Sequence, residues 1–572
     1  MHAKDHAMFT PKHTRARRLL ATVLVASAGA GWCAPAFAQA FPPSLAPSPS
    51  TDPAIDRDRT DRRVPEPTLG GQSEPVIERA QPQVAAIAAD AGQAMILNAL
   101  AYEGSSLPAK VLDAAVAKFV GQPLTQDNVK AIADVISKAY ASSDIAYYSV
   151  AVPPQVPVEG VLRVVITEGR LVEHTVADPT PSTPVRLIAG HVRRMQGGPL
   201  RKSALERHLA LIRDIPGQTV TARIRQLNTA GDLVLELEVK RKQLEIELTL
   251  DNAGIINVID GPLLQTTVAF NGGLREGDTT QFSANVPFAP ERYQFYSLSH
   301  ETPIGATGLS IAAAAARQTT RTRDGIDGEA TLGSVSARYR LVRSGNRNAT
   351  LSASFDLVSS SNNFFDVVFG DFETRVVRLG GSLSDGNEKQ AFAVSGTFSQ
   401  GLDVLGARPF EGFSDDTFSK INLNAVYAKS IKKELILRFN TRGQYSEDLL
   451  PITERFVLGG RGKGLAFLPG VELADQGLGG SIELSQPVKL KSPLLRRVVL
   501  FAFADGAIGR SLERPEFNIP DDSFGLASAG GGMRVNLFGR YSASTEIAIP
   551  IESPSGLVNR APLFLVNLTA GL

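Results

Sequence analysis

From Leu244 to the end of the chain, apolar and polar residues alternate in short runs. Thr350–Leu357 sets Leu351, Ala353, Phe355 and Leu357 against Thr350, Ser352, Ser354 and Asp356. Ile421–Tyr427 sets Ile421, Leu423, Ala425 and Tyr427 against Asn422 and Asn424, and Leu435–Gln444 sets Leu435, Leu437 and Phe439 against Arg438, Asn440, Arg442 and Gln444. A period of two belongs to strands with unlike faces. Here one face suits lipid and the other a wet lumen, over lengths near the ~9–11 residues of a transmembrane strand. About sixteen such segments are found. They start near Leu244, Leu263, Thr279, Tyr293, Gly308, Ala330, Arg347, Arg375, Ala391, Ser419, Glu434, Gly479, Arg496, Leu526, Tyr541 and Leu563. Short turns (GGLREGD, SGNRN, SDGNEK, SIKKE, LFGRY) alternate with several long connections (SSSNNFFDVVFGDFE, GLDVLGARPFEGFSDD, SLERPEFNIPDDSF). Short turns on one side and long loops on the other are the rhythm of a transmembrane barrel, and an even strand number returns the terminus to the side of the start. A β-sandwich or solenoid also alternates, but lacks the paired apolar stripes and the loop asymmetry. The final strand ends on Leu572, where an aromatic is usual. The prediction is a transmembrane antiparallel β-barrel of about sixteen strands over 243–572.

Ahead of it the period changes. Met95–Tyr102 reads as a strand, Leu107–Phe119 and Thr125–Ala141 as amphipathic helices, and Ile145–Val152 and Val161–Glu168 as strands. Val129, Ile132, Val135 and Ile136 share one face of the second helix, with Asp127 in its first turn. This first unit, 86–170, has the order β-α-α-β-β. A second, 171–242, reads as extended pieces at Val172–Val176 and Val185–Ile188, a helix at Lys202–Leu211, and a hairpin from Thr219–Leu227 and Leu233–Lys240. Helices covering one face of each small sheet leave an edge strand open.

Residues 39–85 are rich in Pro, Ser, Asp and Arg and read as an extended or disordered linker, with a short polar helix at Ala54–Arg63. Residues 1–38 read as a signal peptide: Lys4, Lys12, Arg15, Arg17 and Arg18 are basic, Leu19–Ala30 is apolar, and Ala36-Phe37-Ala38 offers small residues at a cleavage site. A retained anchor helix, a twin-arginine signal at Arg17-Arg18 and a lipid anchor at Cys33 fit less well, since the apolar run is short, little surrounds the arginines and bulky Trp32 precedes Cys33.

Composition narrows the function. Lys+Arg (59) and Asp+Glu (58) nearly balance, which argues against a nucleic-acid partner. Mean hydropathy is −0.02 and no apolar run approaches the ~20 residues of a membrane helix. Cleavage would remove Cys33, the one cysteine, leaving no thiolate and no cysteine-held metal. His174, His191, His208 and His300 are scattered without metal-ligand spacing, and His2, His6 and His13 fall in the signal peptide. Asp56, Asp58 and Asp61 alternate with arginine, as in a solvated segment rather than a calcium loop. The run Gly459–Gly464 is no phosphate loop, because Gly464 stands where the Ser or Thr for magnesium belongs. No nucleophile–base–orienter set can be assembled; neither enzyme chemistry, cofactor nor metal is expected.

Two motifs stand out in the barrel. Phe456-Val-Leu-Gly459-Gly460-Arg461-Gly-Lys463-Gly-Leu465-Ala-Phe467 lies in the longest loop, after the eleventh strand, and Phe501-Ala-Phe503-Ala-Asp505-Gly506 lies in the thirteenth. The first unit carries Gly121–Thr125, Pro154-Gln155, Gly160 and Glu168-Gly169; the second carries Gly198-Pro199-Leu200 and Leu205-Glu206-Arg207. With two α/β units before the barrel, these residues resemble the haemolysin and haemagglutinin transporters of two-partner secretion (TpsB type). The units look like polypeptide-transport-associated (POTRA) domains. In that family the loop folds into the lumen and its arginine pairs with the strand aspartate. Here, ungapped from the Gly-Gly pair, the family's arginine falls on Leu465 and its glycine on Ala466, so the resemblance leaves Arg461, Lys463 or no cation as the partner of Asp505, with Arg461 favoured for its fork. A plain flexible loop tip is the alternative. The implied lock is Gly459, Gly460, Arg461, Lys463, Phe467, Phe503 and Asp505.

The resemblance implies a monomeric pore in the outer membrane of a Gram-negative bacterium, its POTRA-like units in the periplasm. It would secrete, and even activate, a large unfolded partner that becomes a β-helical exoprotein. Without a nucleotide site, movement would come from binding inside and folding outside. An unfolded chain can add a strand to an open sheet edge. The alternatives are a factor that inserts other barrels and a passive porin-like channel. Whether an N-terminal helix plugs the pore is left open.

Overall fold

The structure, a computed structural model, describes residues 76–77, 83–84 and 95–572 apart from 255–257, 260, 324, 365–366, 416, 433, 489–494, 518, 538–540 and 554–560. The expected signal peptide, the helix at Ala54–Arg63 and most of the linker lie outside the described residues. From the linker two short strands are described, β1 (Val76–Ile77) and β2 (Gln83–Val84).

The first unit runs β3 (Ala99–Glu103), α1 (Ala109–Val116), α2 (Gln126–Ala141), β4 (Tyr148–Val152) and β5 (Val161–Glu168). Thr125 caps α2 by accepting from the Asn128 N–H at 3.2 Å, and Asp127 complements the first-turn dipole. One face of α2 is buried: Val129, Ile132, Ala133, Ile136 and Tyr140 pack with Leu112 and Val116 onto Val150, Leu162, Val164 and Ile166. The sheet order is β2-β4-β5-β3, with β3–β5 parallel and β4–β5 antiparallel.

The second unit repeats this topology with β6 (Arg170–Ala177), α3 (Val185–Arg193), α4 (Lys202–Arg213), β7 (Gln218–Gln226) and β8 (Asp232–Arg241), in the order β1-β7-β8-β6. Val185–Ile188, expected as extended, opens α3. The segment is too short for its period to be read alone, but Leu187, Ile188, His191 and Val192 are spaced to bury one helical face, which is how the structure uses them.

The barrel strands are β9 (Leu244–Asp251), β10 (Leu263–Asn271), β11 (Thr279–Pro287), β12 (Tyr293–Pro303), β13 (Leu309–Arg321), β14 (Ile326–Arg343), β15 (Arg347–Phe364) and β16 (Val367–Gly386). They continue with β17 (Gln390–Gly401), β18 (Ser419–Lys432) and β19 (Leu435–Tyr445). A small antiparallel pair, β20 (Phe456–Leu458) and β21 (Glu472–Ala474), interrupts the series before β22 (Gln476–Val488), β23 (Leu495–Ser511), β24 (Asp522–Leu537), β25 (Tyr541–Glu552) and β26 (Leu563–Gly571). Sixteen strands close into one antiparallel barrel, sealed where β26 pairs with β9 from Asn567–Asp251 to Gly571–Glu247. Its amphipathy is inverted. Leu298, Val335, Leu351, Leu379, Leu423 and Phe564 are more than half exposed, while Asn285, Gln318 and Ser399 are buried inward. An outward apolar belt around a polar interior is a transmembrane barrel.

The connection expected at 359–373 is strand almost throughout: β15 runs to Phe364 and β16 starts at Val367. Serine and asparagine there satisfy the backbone ladder without an apolar face, so the alternation that marks a membrane strand is missing from a strand that outruns the bilayer.

The second unit is fixed to the short-turn side of the barrel. Arg343 grips Asp214 with both arms of its fork, at 2.6 and 2.7 Å. Arg207 donates to the carbonyls of Leu341 (2.8 Å) and Thr307 (3.1 Å), and the Leu187 N–H donates to Glu276 at 2.8 Å.

Candidate functional site

The connection between β19 and β22 folds back onto the inner wall. Its ascending and descending limbs are β20 and β21, and Phe456, Leu458, Phe467, Val471 and Ala474 bury against Ala507 and Leu526 on the wall. The tip, Gly459–Phe467, is held by Asp505. This carboxylate, opposite Ser481 and Ser528 on the flanking strands, accepts from the backbone N–H of Gly462 (3.0 Å), Gly464 (3.1 Å) and Leu465 (3.0 Å) and from the Ser528 hydroxyl. Ala466 N–H extends the chain of bonds to Ser528 Oγ at 3.2 Å. Converging amides form an anion nest.

Glycines make the nest possible. Gly459, Gly460, Gly462 and Gly464 all have positive φ, which L side chains rarely adopt. A Cβ on Gly464 would meet Leu526 Cδ1 at 1.9 Å, and one on Gly459 would meet the Leu468 carbonyl oxygen at 2.3 Å. The flexible loop tip considered as an alternative is, in the structure, a buried and bonded turn.

Arg461, the favoured cation for Asp505, goes elsewhere. Arg461 pairs with Glu546 on β25, two strands along the wall from Asp505. Lys463 is buried over the Phe456 ring, 5.4 Å from its centre. Leu465, where the resemblance leads an arginine to be expected, gives Asp505 its backbone N–H and packs its side chain with Ala548 and Leu565. Phe503 shares Asp505's face and packs beside Leu465; glycine opposite it on β24 leaves room, since a Cβ on Gly530 would meet the Phe503 ring at 2.8 Å. Thus Gly459, Gly460, Phe467, Phe503 and Asp505 converge in one site, with Arg461 and Lys463 at its rim.

Sequence reasoning missed Glu546 and Ser528. Glu546 carried a signal: it is a carboxylate at membrane depth in a strand whose neighbours Ile547, Ile549 and Ile551 face outward. Ser528 carried none.

The motif residues of the first unit lie apart from the lumen and shape their own domain. Gln155 lays its amide along β5, donating to the Arg163 carbonyl (2.7 Å) and accepting its N–H (2.9 Å); Pro154 is exposed beside it. Gly160 has φ +73° and a Cβ there would meet the Ile96 carbonyl oxygen at 2.3 Å. Glu168 accepts from Ser106 N–H (2.8 Å) and the Tyr140 hydroxyl (2.7 Å); burial pushes that phenol's pKa up and keeps it a donor. Gly169 is the joint between units, where a Cβ would meet Tyr147 and Leu233 within 2.7 Å. Among the described residues, no three His, Cys, Asp or Glu gather as metal ligands, and no helix is long and apolar enough to cross a membrane.

Residues 231–535 match the family described as haemolysin secretion/activation protein ShlB/FhaC/HecB, and residues 96–169 match the ShlB-type POTRA domain. Among solved structures the chain is similar to CdiB from Escherichia coli (18% identity, covering 84% of this chain and 91% of that one, TM-score 0.71). It is also similar to CdiB from Acinetobacter baumannii (15% identity, 98% of each chain, TM-score 0.61). At such identities these two likenesses speak for the fold. No curated protein matches by sequence.

Proposed function

Because the chain belongs to the ShlB/FhaC/HecB family of haemolysin secretion/activation proteins, and so is an outer-membrane secretion pore for a partner protein, we propose how its parts divide that work. The two α/β units lie in the periplasm and dock the partner unfolded. The partner is large, threads a single monomeric barrel, and becomes active by folding into a β-helix outside. The nest around Asp505 keeps the loop in the lumen, so that the idle pore does not leak.

One observation carries the docking step. Both small sheets already hold an extended segment on an edge: β1 pairs parallel with β7 at Arg223 and Ile224, and β2 pairs parallel with β4 at Ala151 and Val152. Backbone pairing makes little demand on sequence, which suits a long and varied cargo. The linker holds these edges until the partner displaces it.

Deleting the gene and comparing surface proteins tests the reading. Loss of one large exported protein, restored by the wild-type gene, is the expected result. Unchanged export with altered solute uptake would overturn it in favour of a passive channel.

A further inference from the structure

Away from the lumen turn, the outer connections of the barrel bury Arg514, the bulkiest fully buried side chain among the described residues. It lies between β23 and β24, and all five of its N–H donors are used. Nε donates to the Phe413 carbonyl at 2.8 Å. Nη1 donates to Asp475 (3.0 Å) and the Leu512 carbonyl (3.0 Å), and Nη2 to Asp475 (2.9 Å) and the Leu450 carbonyl (3.3 Å). Its guanidinium also sits 4.6 Å from the centre of the Phe413 ring. These acceptors come from three connections: 402–418, 446–475 and the one holding Arg514 itself. Asp475, equally buried, also accepts from the backbone N–H groups of Leu450 (3.1 Å) and Leu512 (2.9 Å).

Loops that only connect strands present polar side chains to water. These three share an apolar core instead, in which Phe413, Ile452, Val457 and Leu473 are buried and Phe517 packs edge-on against Phe413. Val457 and Leu473 belong to β20 and β21, so this core continues into the turn held by Asp505. A buried ion pair adds little net stability over an apolar substitute, but its geometry is all-or-none: five bonds across three loops hold together or fail together.

We propose that the described residues of the connections 402–418, 446–475 and 512–521 form one lid over the outer exit of the pore, that Arg514 is the residue that positions it, and that an outgoing chain leaves only when these loops part from one another. The lid lies on the side of the barrel opposite the two α/β units. It closes the path at a second level, beyond the nest around Asp505. The proposal rests on the secretion reading for what passes, though not for whether the lid closes.

The test uses the full-length protein in planar bilayers without partner, then in cells. Arg514→Gln shortens the side chain and loses the charge and the fork. With heat-modifiable migration confirming a folded barrel, its time-averaged conductance should rise roughly tenfold as the closed state loses its tie. Arg514→Lys, which keeps the charge without the fork, should also open. Asp415→Cys with Leu449→Cys bridges two lid loops where the Asp415 N–H donates to the Leu449 carbonyl at 2.9 Å. Oxidised, that pair should stop export, and reductant should restore it. A folded Arg514→Gln barrel with wild-type conductance overturns the lid, as does normal export through the oxidised pair. The conductance arm needs no partner, so its failure strikes the lid alone, whereas a deletion strain that exports everything normally strikes the secretion reading alone.

Discussion

Leu465 gives its backbone N–H to Asp505 at 3.0 Å while its side chain turns away to pack with Ala548 and Leu565. Leu465 thus delivers its amide to the aspartate and its side chain to an apolar pocket. Replacing Leu465 with Arg should therefore loosen the turn, because a guanidinium would have to enter that pocket. Leu465→Ala should cost about 2–3 kcal/mol through the cavity alone. Labelling of a cysteine placed in the loop, compared with conductance, checks both. A tighter, less conductive Leu465→Arg pore would show that the side chain, not the backbone, makes the lock.

Asp505→Ala should have the larger effect. It strands three amide donors and the Ser528 hydroxyl in a buried site, at a cost of about 3 kcal/mol or more to the docked loop. The expected outcome is a folded barrel, by heat-modifiable migration, with raised conductance and a protease-accessible loop. An Asp505→Ala loop that stays protected would remove the nest from the mechanism.

The Arg461–Glu546 pair should respond asymmetrically. Arg461 is 57% exposed and Glu546 only 3%. Removing Glu546 returns a guanidinium to solvent and should cost about 1 kcal/mol or less. Removing Arg461 leaves a buried carboxylate uncompensated and should cost about 3 kcal/mol. Conductance of Arg461→Gln and Glu546→Gln, with the double variant closing the cycle, measures the difference; equal effects would contradict the burial argument.

The linker should compete for the sheet edges. Pro at Gln83 or Val84 removes a backbone donor from β2 and weakens its pairing with β4. Binding of the unfolded partner to the full-length protein should tighten about tenfold if the edge is vacated. Titration of an exported N-terminal fragment measures it, and unchanged affinity would mean that cargo docks elsewhere.

What the sequence made legible was whatever repeats. Alternation located all sixteen barrel strands, because a two-residue period persists through each and any slip would turn an apolar face into the lumen. It failed where the chain leaves the bilayer: Ser359–Asn363 is strand without an apolar stripe, and reads as loop. It failed again at Val185–Ile188, where four residues cannot separate a strand from a helix. At the lock, Asp505 and Phe503 stood out by their shared face, whereas the partners of Asp505 are backbone amides, which no side-chain pattern announces. Arg514 with Asp475 was equally invisible, since loops far apart in sequence meet there without any period to align them.

The buried pair His191 and His208 gives the second unit a pH dependence. Their Nδ1 atoms are 3.1 Å apart between α3 and α4. Burial lowers the His191 pKa to about 3, helped by His208, Arg194 and Arg207, and burial with Arg207 and Arg194 lowers that of His208 to about 4. At neutral pH one ring donates and the other accepts. Unfolded, both titrate near the usual ~6.5. The unfolded unit then binds more protons than the folded one between those values, so stability present above about pH 6.5 is lost as pH falls toward about 4. The loss should be about 3 kcal/mol or more by pH 4. Hydrogen exchange of α3 and α4 in the full-length protein from pH 7 to 4 measures it, after correction for intrinsic exchange rates. His208→Asn keeps a donor and an acceptor but cannot take up a proton, and should flatten the curve. If the wild-type helices stay as protected at pH 4 as at pH 7, the two rings do not titrate in this way.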